Sequence, residues 1–435
     1  MPGPGYAFFG DEERDNVEQV LETWSRTTAA HSYPLGDLTQ TRLFEQAAAH
    51  RLSSPYCLSV NSGTSALLTA LAALGIGPGD EVIVPGYMYS ACLAAIVYSG
   101  ATPVLAEVDA SLTLDPGDVR QRITGRTKAL MPVHILGAAC DLAALRRIAG
   151  EHGLLMLEDA AQACGGTYRG RPLGTFGQAG AFSLNMFKII TGGDGGFLLT
   201  SDERVFQRAY GFHDHGWFPY RREEGPGDRL WGLNLRMTEL TAAVARAQLG
   251  RLDAVLARTR GLRDELLEQI PERDGMVRRY LHDADGDCAS VLVYVFDERA
   301  DAEAVAKRLG TKTLLHSPKH YYGGLPELPA LAAPDGSSCP FRQPAEVWRR
   351  DGWRAGALPR TDDVLSRSLA LTVGLSDTYL GADFGVNVFS GGDHGPDAAD
   401  GDPHGGANRR AGQPAGKPQP PAHTIAATRR RDSPP

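Results

Sequence analysis

The chain reads as an α/β protein: a large domain on a mostly parallel sheet flanked by helices, followed by a small C-terminal α+β domain. Three observations predict this. From residue 56 to about 250, short apolar or β-branched runs alternate with turn signals and amphipathic stretches, the pattern of strands alternating with helices. Helical spacing at 237–256 then leads to a further strand-like run and a helix-like run before residue 310. Beyond Phe389 the only large aliphatic residue is Ile425, and such a segment cannot bury a core.

The elements follow in order. Cys57-Leu58-Ser59-Val60 is an apolar run that stops at Asn61-Ser62-Gly63-Thr64-Ser65-Ala66-Leu67, where an amphipathic helix opens. The run from Glu81 ends in the turn pair Pro85-Gly86, residues 102–108 form the next run, and residues 129–134 precede Ile135-Leu136-Gly137. All read as strands buried on both faces. Leu240, Val244, Ala247, Leu249, Leu252 and Leu256 predict one long helix linking the two domains, thinning at the polar stretch 257–260. The small domain takes a strand at 290–296 and a helix at 300–309. The expected division is therefore 1–250, 251–389 and a disordered Pro/Gly/Arg-rich tail at 390–435, whose cluster Arg429-Arg430-Arg431 suits an acidic surface and no catalytic role.

Composition narrows the function. With 435 residues, 42% hydrophobic and 22% charged, the chain has the make-up of a soluble globular enzyme. Its net charge of −8 argues against a nucleic-acid groove, so any phosphate binding is local. Six scattered cysteines without a CxxC pair indicate neither a metal site nor a disulfide framework, which fits a reduced cytoplasm. The N-terminus shows no signal-peptide pattern, and no run approaches the roughly 18 apolar residues of a membrane span.

Chemistry concentrates in three places. Phe182-Ser183-Leu184-Asn185-Met186-Phe187-Lys188-Ile189-Ile190 delivers one amine to the glycine-rich turn Gly192-Gly193-Asp194-Gly195-Gly196. Lysine forms a Schiff base with an aldehyde and then shuttles protons, for which flanking apolar residues lower its pKa by desolvation. Alone, it equally suits a snorkelling surface lysine. Glu158-Asp159 ends the apolar run Leu154-Leu155-Met156-Leu157, where open α/β sheets place their ligands. Asp159 there suits a protonated pyridine nitrogen, or a plain helix cap. Ser62-Gly63-Thr64 at a helix start suits an anion, or again a cap. Lys188 and Asp159 together point to pyridoxal 5'-phosphate, with Gly63, Thr64 and Ser183 at its phosphate.

Four motifs in this order, Ser62-Gly63-Thr64-Ser65-Ala66-Leu67, Glu158-Asp159-Ala160-Ala161-Gln162, Phe182-Ser183 with Lys188 and its glycines, and Asn234-Leu235-Arg236-Met237-Thr238-Glu239-Leu240, closely resemble the DegT/DnrJ/EryC1/StrS aminotransferases over roughly residues 30 to 385. The resemblance implies a fold type I pyridoxal phosphate enzyme, a homodimer with shared active sites. It also implies transfer of an amino group from glutamine or glutamate to a keto-sugar or keto-cyclitol in antibiotic biosynthesis. Gly63, Thr64 and Ser183 match its phosphate binders, Asp159 the pyridine-nitrogen partner and Lys188 the cofactor-binding lysine. Gln162 matches a residue near the ring and its hydroxyl, Tyr89 the ring-stacking aromatic, and Asn234 a phosphate contact from the neighbouring subunit.

Members that dehydrate sugars have histidine where this chain has Lys188, which favours transamination. The residues after Lys188 look closer to the aminocyclitol branch than to the nucleotide-sugar branch. Arg236 is a candidate for the carboxylate of donor or substrate, or for an ion pair with Glu239. Loops 217–229 and 321–328 are expected to face the ketone. The family's final helix is replaced after Val386-Asn387-Val388 by the tail, which fits loss of that helix or a frame shift near Phe389. The rival readings are elimination or dehydration on the same scaffold, a nucleotide-keto-sugar aminotransferase, and a non-catalytic regulator.

Overall fold

The structure is a computed structural model that describes residues 3–26, 39–216, 230–316, 322–324, 356–374 and 385–386. Loop 217–229, most of loop 321–328 and the tail from 387 onward lie outside the described residues.

Helices α1 (Asp11–Arg26) and α2 (Gln40–Arg51) precede strand β1 (Tyr56–Val60). There follow α3 (Gly63–Ala73), β2 (Glu81–Pro85), α4 (Ala91–Tyr98), β3 (Thr102–Ala106), α5 (Pro116–Arg122), β4 (Thr127–Leu130), α6 (Leu142–His152) and β5 (Leu155–Asp159). A two-stranded ribbon, β6 (Thr167–Tyr168) with β7 (Arg171–Pro172), comes before β8 (Ala179–Ser183), β9 (Gly196–Thr200) and α7 (Glu203–His213). Among the described residues, seven strands make the main sheet in the order β1-β9-β8-β5-β4-β2-β3. Only β9 runs antiparallel to its neighbours; the other pairs are parallel.

Alternation along these buried strands sorts residues between two cores. Val82, Val84, Leu157 and Ala181 pack on the face carrying α3 and α4. Ile83, Met156, Phe182 and Phe197 pack on the opposite face with α6 and α8 (Glu239–Gly250). The strand expected at 129–134 ends at Leu130. Pro132 cannot donate to the ladder, and pairing resumes only as an isolated bridge between Val133 and Asp159.

The single helix expected over 237–256 is two, α8 and α9 (Leu252–Gln269). Thr238 caps α8 by accepting from the Thr241 amide, and the break falls at Gly250-Arg251, where glycine weakens the helix and the Arg251 guanidinium reaches Glu13 at 3.2 Å. The polar stretch 257–260 does not end α9. Instead it docks on the segment that leads into the second sheet, with Thr259 Oγ1 donating to the Cys288 carbonyl (2.8 Å) and Arg260 Nε to that of Asp287 (3.0 Å).

That second sheet runs β10 (Met276–Arg278), β11 (Val291–Phe296), β12 (Ser368–Val373), β13 (Gly385–Val386). With α9 and α10 (Arg299–Leu309) it encloses a core of Leu262, Leu266, Tyr294, Phe296 and Leu369. A further helix, Pro359–Ser366, ties it back: Thr361 donates its amide and hydroxyl to buried Glu107 at 2.7 and 2.6 Å. Among the described residues, no helix is long and apolar enough to cross a membrane.

Candidate active site

The period of two decides which side chains meet. Asp159 shares parity with Leu157 and faces α4, whereas Glu158 shares parity with Met156 and turns to the other core. Glu158 is fully buried and accepts from the amides of Gly174 (2.8 Å), Phe176 (2.6 Å) and Gly177 (2.7 Å) and from His134 Nε2 (3.1 Å). It is a structural carboxylate, not half of a functional pair. No helix follows Asp159; its Oδ1 accepts from the Ala161 amide (2.9 Å) in a turn, and its Oδ2 from the Cys92 thiol (2.9 Å).

Ser183 ends β8 on the same face as Asp159. The chain then turns back through Lys188 to β9, closed by bonds from the Leu184 amide to Gly195 and from the Gly192 amide to Leu184, both 2.9 Å. Gly193 (φ +84) and Gly195 (φ +117) take conformations that side chains disfavour. The Lys188 Nζ sits 5.6 Å from the centre of the Tyr89 ring, just before α4. Its charge also reaches Cys92: burial first, then Asp159, push that thiol well above the usual range, and Lys188 works against them. Lys188, Tyr89 and Asp159 thus converge around Cys92, which lies one helical turn beyond Tyr89.

From outside, the N-terminal segment straps this loop. The Gly3 amide donates to Met186 O (2.7 Å), and a Cβ on Gly5 would lie 2.7 Å from Ile189 O. Neither Cys92 nor this strap was singled out from sequence. The i+3 spacing from Tyr89 was the signal for Cys92, and the strap carries none.

At the head of α3, Ser62 is the cap and accepts from the Ser65 amide (3.0 Å). That leaves Gly63 and Thr64 in the first turn, whose amides have no acceptor within the helix and whose dipole end is positive. A Cβ on Gly63 would stand 2.7 Å from Ser183 Cβ, so only glycine lets the helix start and the Ser183 hydroxyl share one space. Gln162 is half-buried, with Oε1 accepting from the Leu136 amide (2.8 Å). Asn234 is exposed on the segment bridged to Asp214. Arg236 pairs with Asp214 beside His215, not with Glu239, whose carboxylate holds Gln40 and Thr41 at the head of α2.

A family model described as the DegT/DnrJ/EryC1/StrS aminotransferase family matches residues 12–339. The chain belongs to this family. It is 40% identical to L-glutamine:scyllo-inosose aminotransferase of Streptomyces griseus over 60% of this chain and 63% of that one. It is 44% identical to GDP-perosamine synthase of Caulobacter vibrioides over 49% of this chain and 57% of that one. The matched stretches thus span less than two thirds of these relatives. Among solved structures, the aminotransferase from Psychrobacter cryohalolentis overlays with a TM-score of 0.68 at 27% identity, covering 86% of this chain and 95% of that one. The DesV structure from S. venezuelae, in complex with a ketimine intermediate, gives 0.66 at 31% identity, covering 85% and 91%. The fold is that of the pyridoxal-phosphate-dependent aminotransferases, and pyridoxal phosphate is the family's cofactor.

The residues present fit that cofactor. Gly63 leaves a cradle that a Cβ would fill, Asp159 offers a buried carboxylate, and Lys188 supplies an amine over Tyr89. Gly63→Ala is expected to weaken pyridoxal phosphate binding by about tenfold or more, roughly 1.4 kcal/mol. Absorbance titration of the apoprotein with the cofactor measures this, and an unchanged affinity removes the cradle from the phosphate site.

Proposed function

We propose that the protein is a pyridoxal-phosphate-dependent aminotransferase that moves an amino group from glutamine or glutamate to the ketone of a cyclic sugar or cyclitol in antibiotic biosynthesis. One observation carries the reading: an amine, Lys188, set over the Tyr89 ring at the side of the sheet where Asp159 emerges. The names of the relatives support the substrate class, one acting on scyllo-inosose and one making GDP-perosamine. The cyclitol is the first choice, because the residues following Lys188 resemble that branch; the nucleotide-linked keto-sugar is the second.

When bound, the cofactor supplies an electron sink for the carbanion that transamination requires. Asp159 holds a proton at the ring nitrogen, its two existing donors fixing the carboxylate's orientation. Gly63, Thr64 and Ser183 hold the phosphate through the helix end and a hydroxyl. Tyr89 covers the ring and excludes water. Lys188 Nζ would hold the cofactor's aldehyde, and its amine would serve as the group that takes up and returns a proton. Gln162 faces the ring hydroxyl, and Arg236 exchanges Asp214 for a substrate or donor carboxylate. The exposed Asn234 reaches the phosphate of a second copy in a homodimer. Buried free thiols at the five described cysteines support a cytoplasmic setting.

Purified protein with pyridoxal phosphate is incubated with scyllo-inosose or nucleotide-linked keto-sugars, and with glutamine or glutamate. Mass spectrometry is expected to find the aminated ring and the matching 2-oxo acid. Absence of 2-oxo acid with every pairing sinks transamination and leaves elimination.

A further inference from the structure

We infer that Arg279 is a positioning residue: by gripping the carbonyl oxygens of Ile135 and Leu136 it fixes the turn that holds Gln162, and so sets how Gln162 meets the cofactor. The inference rests on the proposal that Gln162 faces the ring hydroxyl.

The links are on the page. Leu136 sits in the left-handed region (φ +56), a sparsely populated state for leucine that persists only where its surroundings over-determine it. Its peptide groups are held at both ends. The Leu136 amide donates to Gln162 Oε1 at 2.8 Å, while its carbonyl accepts from Arg279 Nη2 at 3.0 Å; Arg279 Nη1 takes the Ile135 carbonyl at 3.3 Å. Because Leu136 brings a donor, the amide of Gln162 must present its oxygen to the turn and its NH₂ away from it. That end donates, and a donor is what a ring oxyanion needs. A relaxed or reversed turn would free the amide to present its oxygen, which repels that oxyanion.

Arg279 is well built for the task. It is 5% exposed, and its own amide bonds to Val293 O (3.0 Å), which anchors it to the second sheet. Asp287 Oδ1 stands 3.9 Å from Nη2, so the charges pair without a hydrogen bond and the guanidinium keeps its N–H groups for the two carbonyls. Burial lifts the Asp287 carboxyl to about 6, with Arg279 pulling the other way. The turn is also packed: the Cys288 amide donates to Gly137 O (3.2 Å), and a Cβ on Gly137 would lie 3.0 Å from Cys288 Cβ. The Arg279 side chain thus links the second sheet to the strained Leu136 and, through it, to Gln162.

The test uses holoprotein and follows the visible absorbance of the lysine-bound cofactor against pH. A donor on the ring oxygen stabilises the oxyanion and lowers the midpoint, so Gln162→Ala is expected to raise it by roughly half a unit or more. Arg279→Met, made with Asp287→Asn to avoid an unpaired buried carboxylate, is expected to raise it by at least half as much. Asp287→Asn alone leaves it unchanged. Added to Gln162→Ala, the Arg279 change should move the midpoint no further. Arg279→Lys, which keeps the charge but grips one carbonyl at most, gives a smaller shift of the same sign and serves if the paired variant does not fold. A wild-type midpoint in folded Arg279 variants, or shifts that add to that of Gln162→Ala, overturns the inference. No response to Gln162→Ala instead overturns the placement of Gln162 at the ring, and the inference falls with it.

Discussion

Lys188→Ala is expected to abolish amino transfer, by about ten-thousandfold or more, the upper end of what a positioned proton shuttle contributes. The fold should survive, because the turn is held by its backbone: the Lys188 amide bonds to Asn185 O (3.0 Å), the Gly192 amide to Leu184 O, and the Gly3 amide to Met186 O. Circular dichroism of the variant should match the parent while the visible absorbance of the bound cofactor is lost. Borohydride treatment of the parent should fix the cofactor to residue 188. The chain has six lysines (Lys128, Lys188, Lys307, Lys312, Lys319 and Lys417), so peptide mapping reads the result without ambiguity. Of the described ones, Lys128 and Lys307 are exposed, Lys312 is half-buried beyond α10, and Lys188 sits over the Tyr89 ring. A tag on another lysine, or undiminished turnover in Lys188→Ala, would remove the basis of the proposed function.

Strands buried on both faces announce themselves as apolar runs whatever their pairing, which is why β1, β2, β3, β5 and β11 were legible within a residue or two. Helix ends were harder. The break at Gly250-Arg251 depends on a guanidinium reaching Glu13 on α1, far away in sequence, and local spacing carries no trace of it. The polar residues Thr259 and Arg260 looked like a helix end and are docking contacts, because their hydrogen-bond partners Cys288 and Asp287 lie in a later segment. Lys188, Asp159, Gly63 and Ser183 stood out in the sequence because glycine turns and strand ends mark them. The neighbours that aim them did not: Cys92 meets Asp159 across 67 positions, and Arg279 meets Leu136 across 143. Arg236 was read as a grip on a donor or substrate carboxylate, or else as the partner of Glu239; it lies before α8 begins and pairs with Asp214 instead of Glu239.

Glu158 and Asp159 also looked like one feature in sequence, and their separation by the pleat leads to an expected result of the opposite kind. Glu158→Ala should destabilise the fold by about 3–5 kcal/mol, because removing a buried, fully satisfied carboxylate orphans several donors, each costing about 1–3 kcal/mol when buried. Three of these are amides of one loop, 174–177, which must approach β5 and β8 closely: a Cβ on Gly177 would lie 2.3 Å from Met156 O, and one on Gly180 2.1 Å from Gly174 O. Little room exists for the loop to rearrange and find other acceptors. Glu158→Gln should cost less, since its amide oxygen still serves one pair of donors while its NH₂ faces the rest. The urea midpoint, read at fixed protein and cofactor concentration, should therefore fall in the order wild type, Glu158→Gln, Glu158→Ala. Equal midpoints for alanine and wild type would mean that the carboxylate does not organise this loop, and that its place beside Asp159 needs a chemical explanation after all.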